Sequence, residues 1–450
     1  LHLKEFSTED EVQDFTDPWI LKSLIKKYSD FIAHPIKMKT DKEDETLNSQ
    51  KAIWLKSPSE VSAEEYKEFY QHLSHDWNEP LKTVHYKAEG TMEFNSLLYI
   101  PSKKPWNYNM QDAAIGLSLY IKRVFIMADC KDLIPPYLRF VKGLVDSSDL
   151  SLNVSREILQ QDRQVSQIRK NVTNKILASL KELFTKERSS YENFWSEFGA
   201  TLKEGLPADG TNKEKLLDLT LFHSTYSDKM TTLEEYVGRM KEGQKDIYYI
   251  TGDNLTQVSH SPYLEKLKEK NYEVLLLIDP VDEWAVDAIK EYKEKKLQSI
   301  MREGLDIDTE EEKQKKAEDL KQAEFTLRPV MDTLKKTLEN DVKDVILSER
   351  LTNTPVCLVS ATHDPSAHMQ KLLSQMGRDY RNPVKRIMEI NPNHPVFEKM
   401  LKATPEQQTK WAEILFAQAL LNEGSNVPDP VKFSQQIAEL MVQAAEATKH

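Results

Sequence analysis

Two apolar periods run along this 450-residue chain and predict its elements. Near the start, Asp17-Pro18 sets an N-cap before a proline at the first helical position. Trp19, Ile20, Leu24 and Ile25 follow at helical spacing. Ser62-Ala63-Glu64-Glu65 has the spacing of a capping box and leads into Tyr66, Phe69 and Tyr70. Extended runs predict strands over 93–100, with Phe94, Leu97, Leu98 and Tyr99, and over 122–128, with Val124, Phe125 and Ile126. A long amphipathic helix is expected over 156–184. There Ile158, Val165 and Val172 recur at seven-residue spacing, flanked by Ile168, Ile176, Leu180 and Leu183. Shorter helices should fill 187–240, punctuated by Gly205, Pro207 and Gly210.

A compact unit follows. Residues 246–251 and the continuous apolar run 274–278 read as strands. Ser261-Pro262 opens a helix after the first, and Asp282 opens one through Trp284, Val286 and Ile289 after the second. Strand–helix–strand–helix of this length implies parallel pairing. Residues 290–322, dense in Lys and Glu, read as a solvated helix plus a mobile linker and make the best domain boundary. Beyond it, 342–347 and 356–360 read as two strands, with three helices after them. Thr404-Pro405-Glu406-Gln407 caps a helix carrying Trp411, Ile414, Leu415 and Leu421. Asp429-Pro430 starts the last one, with Phe433, Ile437, Leu440, Met441 and Ala444 on one stripe. Their apolar faces need cover, either from their own domain or from a second copy in a two-fold four-helix bundle. Pattern alone does not choose between these.

Composition narrows the function. The 61 Lys+Arg against 73 Asp+Glu leave a net charge of −12, which argues against a general nucleic-acid binder. No apolar run reaches the ~18 residues of a membrane span, and no signal-peptide pattern opens the chain. Two cysteines, Cys130 and Cys357, exclude a disulfide framework and suggest a reducing compartment, hence a cytoplasmic location. Only 12 glycines occur, so glycine-rich phosphate loops are not expected. The spacings Gly205–Gly210 and Gly238–Gly243 lack the lysine that would reach a phosphate. His72 and His75 lack a partner at metal-ligand spacing and read as a surface pair.

One segment carries a chemical argument. In Asn153-Val154-Ser155-Arg156-Glu157-Ile158-Leu159-Gln160-Gln161, Ser155 is a natural N-cap and Glu157 suits the positive helix end. Arg156 and Gln160 share a face away from the apolar stripe. Arginine at a helix N-terminus can hold a phosphate, although an exposed Arg and Gln on a solvated face would show the same spacing.

This segment resembles the middle-domain signature of the heat-shock protein 90 chaperone family. So do Leu133-Ile134-Pro135, Phe140-Val141-Lys142-Gly143-Leu144-Val145-Asp146-Ser147, Glu65-Tyr66 through Phe69-Tyr70, and Glu93-Phe94-Asn95-Ser96-Leu97-Leu98-Tyr99-Ile100-Pro101. Glu389-Ile390-Asn391-Pro392-Asn393-His394-Pro395 is similar to a C-terminal-domain motif of the same family. The resemblance, of bacterial type, implies a multidomain α/β and α+β chain of middle and C-terminal domains, without the ATP-binding N-terminal domain. The expected parts are 1–235, a large α/β part with a helical segment; 236–303, a small α/β part; and 304–450, an α+β dimerisation domain ending in a helix bundle. The start at Leu1 rather than Met fits that expectation.

The resemblance also assigns roles. Arg156 would reach the γ-phosphate of ATP, with Gln160 and Asn153 as polar neighbours, once the N-terminal ATPase domain docks. ATP and Mg2+ would belong to the full-length protein only. Phe125 matches an interdomain contact. Trp54, Glu283, Trp284, Asp287, Met369, Leu372 and Leu373 fall where client proteins are contacted. Trp411, Leu415, Phe433, Ile437, Leu440 and Met441 would form the homodimer. Partners implied are non-native clients and the 70-kDa heat-shock chaperone, with no nucleic acid and no membrane. The alternative is the transducer part of a gyrase- or MutL-type ATPase, which should show a basic face that a net −12 does not favour.

Overall fold

The computed structural model describes residues 14–39, 44–90, 92–108, 110, 116–151, 163–378 and 384–447. The chain divides into two compact units, Leu1–Leu219 and Thr220–His450.

In the first unit, Asp17 caps α1 (Pro18–Tyr28) by accepting from Trp19 N at 2.7 Å. The Trp19 ring itself is 75% exposed, and α1 buries no residue fully. A small ribbon pairs β1 (Lys37–Lys39) with β2 (Asp44–Thr46). The Ser62 capping box starts α2 (Ala63–Ser74). A five-stranded sheet follows: β3 (Lys82–Ala88), β4 (Phe94–Ile100), β5 (Leu117–Ile121), β6 (Val124–Cys130) and β7 (Lys142–Ser147), in the order β3-β4-β7-β5-β6. Only the β5–β7 pairing is parallel. Gly143 is required in β7. Its φ is +140°, and a Cβ there would stand 2.3 Å from the Leu97 carbonyl oxygen of β4.

The expected strand over 122–128 is a hairpin arm. Lys122 and Arg123 form its turn with φ of 49° and 66°, and β5 precedes it. The long helix is present as α3 (Arg163–Lys186), with Val165, Ile168, Val172, Ile176, Leu180 and Leu183 all buried. α4 (Arg188–Lys203) buries Tyr191, Phe194, Trp195 and Phe198.

The second unit opens with a six-stranded sheet built from β8 (Phe222–Ser224), β9 (Ser227–Thr231), β10 (Ile247–Thr251), β11 (Val274–Leu277), β12 (Glu291–Tyr292) and β13 (Lys295–Ser299). Its order is β12-β13-β10-β11-β8-β9. β10 runs parallel to both β11 and β13, as the strand–helix alternation implies. Within the Lys/Glu-dense segment read as a linker, β12 and β13 form an edge hairpin, with Lys293 and Glu294 at φ of 49° and 63°. Thr309 then caps α7 (Glu310–Thr337). The first turns of α7 are solvated. Its last turns bury Leu327, Val330, Met331 and Leu334.

A three-stranded sheet of β14 (Val342–Leu347), β15 (Val356–Val359) and β16 (Arg386–Ile390) has the order β14-β16-β15. The strands read over 342–347 and 356–360 are therefore not neighbours; β16, unread in the sequence, lies between them. Alternation sends Cys357, Val359 and Ile387 into one core with Tyr248, Tyr263, Val274 and Ile300. It sends Val356, Leu358, Met388 and Ile390 into a second core with α7, α9 (Pro395–Lys402) and α10 (Pro405–Glu423). The last helix is α11 (Pro430–Ala447).

Candidate functional site

The first constellation is centred on Trp54, in the short 3-10 turn Ile53–Leu55. The ring is fully buried, edge-on to Phe31 at 4.7 Å and tilted against Tyr120 at 5.3 Å and Phe69 at 5.7 Å. Its indole Nε1 donates to Asp146 Oδ2 at 2.8 Å. Asp146 Oδ1 accepts from Arg123 N at 3.1 Å and so holds the β5–β6 turn. Burial pushes the Asp146 carboxyl up, with the Trp54 and Arg123 bonds opposing it. Two residues past that turn, half-buried Phe125 packs edge-on to Tyr28 at 5.7 Å and Tyr120 at 5.4 Å. One carboxylate therefore ties Trp54 to the hairpin that carries Phe125. A client contact by Trp54 would require its ring to leave this core.

The second constellation lies in the other unit, where α5 (Leu233–Arg239) precedes the two helices that carry it, α6 (Asp282–Ile289) and α8 (Ala367–Gln375). Glu283 is buried; its Oε1 accepts from Ser366 Oγ at 2.7 Å and lies 3.1 Å from His368 Nδ1. Burial alone would raise this carboxyl, but bonds from His368, Ser366 and Thr251 outweigh it and hold it below its ordinary range. Glu283 thus fastens α6 to the first turn of α8, where Ser366 Oγ caps Met369 N at 2.9 Å. Trp284 is half-buried and Asp287 exposed; Met369 and Leu373 are half-buried, and Leu372 is buried. Met376, just past α8, is 61% exposed.

The third constellation is the tail. Leu415 is buried in the core of α10, with Trp411 half-buried beside it. On α11 no residue from 430 to 445 is buried. Phe433, Ile437 and Leu440 are half-buried, and Met441 is 68% exposed, with Val431 and Val442 also open. Polar bonds clamp α11 to α10, from Lys432 and Gln436 to Glu413 at 2.8 and 2.7 Å.

Asn153, Arg156 and Gln160 lie outside the described residues. His72 and His75 are both exposed, at the end of α2. Among the described residues, no three His, Cys, Asp or Glu side chains group as metal ligands, and no helix is long and apolar enough to cross a membrane.

Sequence reading missed one buried group altogether. Arg350 Nε and Nη2 bind Glu389 Oε2 and Oε1 at 2.9 and 2.8 Å. The only signal was a Glu inside the apolar run Arg386–Ile390. The motif after it is structural too: Asn391 bonds the backbone of Thr354 and Pro355, and His394 caps α9.

The several sheets and helices fit the multidomain α/β and α+β class expected from the sequence, and comparison with known proteins shows the family. The model of the family described as Hsp90 protein matches residues 37–450. A chaperone protein HtpG from Bdellovibrio bacteriovorus is 79% identical over 451 residues, spanning 100% of this chain and 72% of that protein. The chaperone protein HtpG of Mycobacterium leprae is 45% identical, spanning 98% of this chain and 71% of its own length. That of Geobacter sulfurreducens is 44% identical, over 99% and 72%. The chain belongs to the Hsp90 protein family and is of the bacterial type. Its place is among the molecular chaperones of protein folding and the stress response.

Proposed function

We propose that this chain holds non-native client proteins in the cytoplasm, pairs with a second copy through α10 and α11, and lends Arg156 to the γ-phosphate of ATP. The ATP and its Mg2+ would sit in the family's N-terminal nucleotide domain, and Phe125 would meet that domain. Arginine suits the task because its charge and donor fork stabilise charge developing on phosphate oxygens. Gln160 and Asn153 would be its polar neighbours. Clients would meet the α6–α8 region through Trp284, Asp287, Met369 and Leu373, with Glu283 and Leu372 holding the helices beneath. A handover with the 70-kDa heat-shock chaperone belongs to the same reading. No finding favours the gyrase- or MutL-type alternative.

The observation that carries the pairing is the α11 stripe of Phe433, Ile437, Leu440 and Met441, amphipathic yet nowhere fully buried. Contiguous apolar surface of this kind marks an interface. Sedimentation of the chain with and without residues 429–450 tests it: a dimer that becomes a monomer is expected. A monomer in both cases overturns the pairing. For the arginine, Arg156→Ala in a protein carrying the nucleotide domain should cut ATP turnover by about a hundredfold while leaving the sedimentation unchanged. Unaltered turnover removes the role.

A further inference from the structure

The carboxyl end of β10 is a topological switch point. From β10 the chain passes to β11 on one side, and from β11 it crosses to β13 on the other. Open α/β sheets bind ligands in crevices at such strand ends. Here Gly252 and Asp253, directly after β10, line a cavity of about 590 Å3, within the usual size for a small-molecule site. Lys371 of α8, Arg386 at the head of β16, and Glu423 and Ser425 at the end of α10 line it too.

Arg386 is the unusual group. Its side chain is 9% exposed, and its Nε is buried and donates no hydrogen bond. The Glu423 Oε2 carboxylate oxygen stands 3.7 Å away, and Nη1 is spent on the Val384 carbonyl at 3.1 Å. Glu423 compensates poorly. Burial pushes its carboxyl up, with Arg386 and the Ser425 hydroxyl only partly opposing that. Lys371, 40% exposed, pairs with Asp253. His368 is turned to Glu283 at 3.1 Å, with its Nε2 3.9 Å from Asp253. A buried guanidinium N–H without an acceptor is costly, so an acceptor brought by a ligand would be strongly favoured.

We propose that this cavity binds a small oxoanion, a carboxylate or phosphate group, that accepts from the Arg386 guanidinium and draws Lys371 away from Asp253. The site stands independently of the client, dimer and nucleotide roles above. The test is calorimetric titration of the 450-residue chain with inorganic phosphate and, separately, with malonate, at constant ionic strength. Saturable binding of one anion per chain is expected, and the arm that saturates identifies the source. Arg386→Gln and Lys371→Gln should each weaken it about tenfold. Glu423→Gln should tighten it severalfold, because it removes the carboxylate that competes for Arg386. This gain cannot come from a misfolded protein, and circular dichroism checks Arg386→Gln for folding; should that variant unfold, the other two decide. A linear response to both anions, or saturation indifferent to Lys371→Gln and Glu423→Gln, overturns the proposal.

Discussion

Two buried arginine–glutamate pairs meet on β16, and they are built differently. Arg350 and Glu389 are 4% and 5% exposed at the side chain. The guanidinium grips both carboxylate oxygens, donates to the Arg302 carbonyl at 2.8 Å and also to that of Ile300. Ser348 Oγ adds a donor to Glu389 at 2.7 Å. Glu389 keeps the arginine charged against burial. This pair joins the segment after β13 to the three-stranded sheet. Three residues earlier on the same strand, Arg386 faces Glu423 across 3.7 Å with its Nε unspent. Burial alone therefore says little about a charge pair. Saturation separates a structural rivet from a group still able to bind something.

Four substitutions test the contrast. Arg350→Ala should have the largest effect, a loss of about 3–5 kcal/mol in urea unfolding, because Glu389 is left buried and unpaired. Arg386→Gln should cost about 1 kcal/mol by the same measurement, since that pair is incomplete and Glu423 can take up a proton. Equal losses would erase the distinction. The smallest effect is in pH dependence. Glu423 has a folded-state value above its ordinary one, so the native state holds a proton that the unfolded chain has released. Its contribution to stability therefore falls as pH rises through that window. Glu423→Gln should flatten this slope in melting temperature. Glu283 has the opposite sign: its folded value is lowered, so its stabilisation is present above the ordinary carboxylate range and is lost on acidification. Glu283→Gln should remove an acid-side loss and leave the Glu423 slope intact.

Much of the fold was legible where the signal is local. The capping boxes at Ser62 and Thr404 start α2 and α10 as read, and the apolar runs of β10 and β11 pair in parallel. Two of the hairpins were not legible, for a specific reason. Their two-residue turns use Lys122-Arg123 and Lys293-Glu294, both at positive φ, where Asn-Gly would have announced them. The second hairpin also lies at a sheet edge, and an edge dressed in Lys and Glu reads like a linker. β16 was hidden by the two charges within its five residues.

At the candidate sites the same division holds. Motifs in the sequence pointed to Trp54, Glu283 and the tail helices. Nothing in them told that Trp54 bonds Asp146, 92 residues away, or that Glu283 bonds Ser366, 83 residues away.

Sequence by itself determined the helix starts, the absence of a disulfide framework and the family. Caps and periodicity act within a few residues, and family motifs are strings. Only the tertiary structure decided which apolar stripe is covered, α10 but not α11, and which buried arginine is satisfied. Those outcomes depend on partners brought together from distant positions, and the energy of a buried charge is set by every donor and acceptor around it.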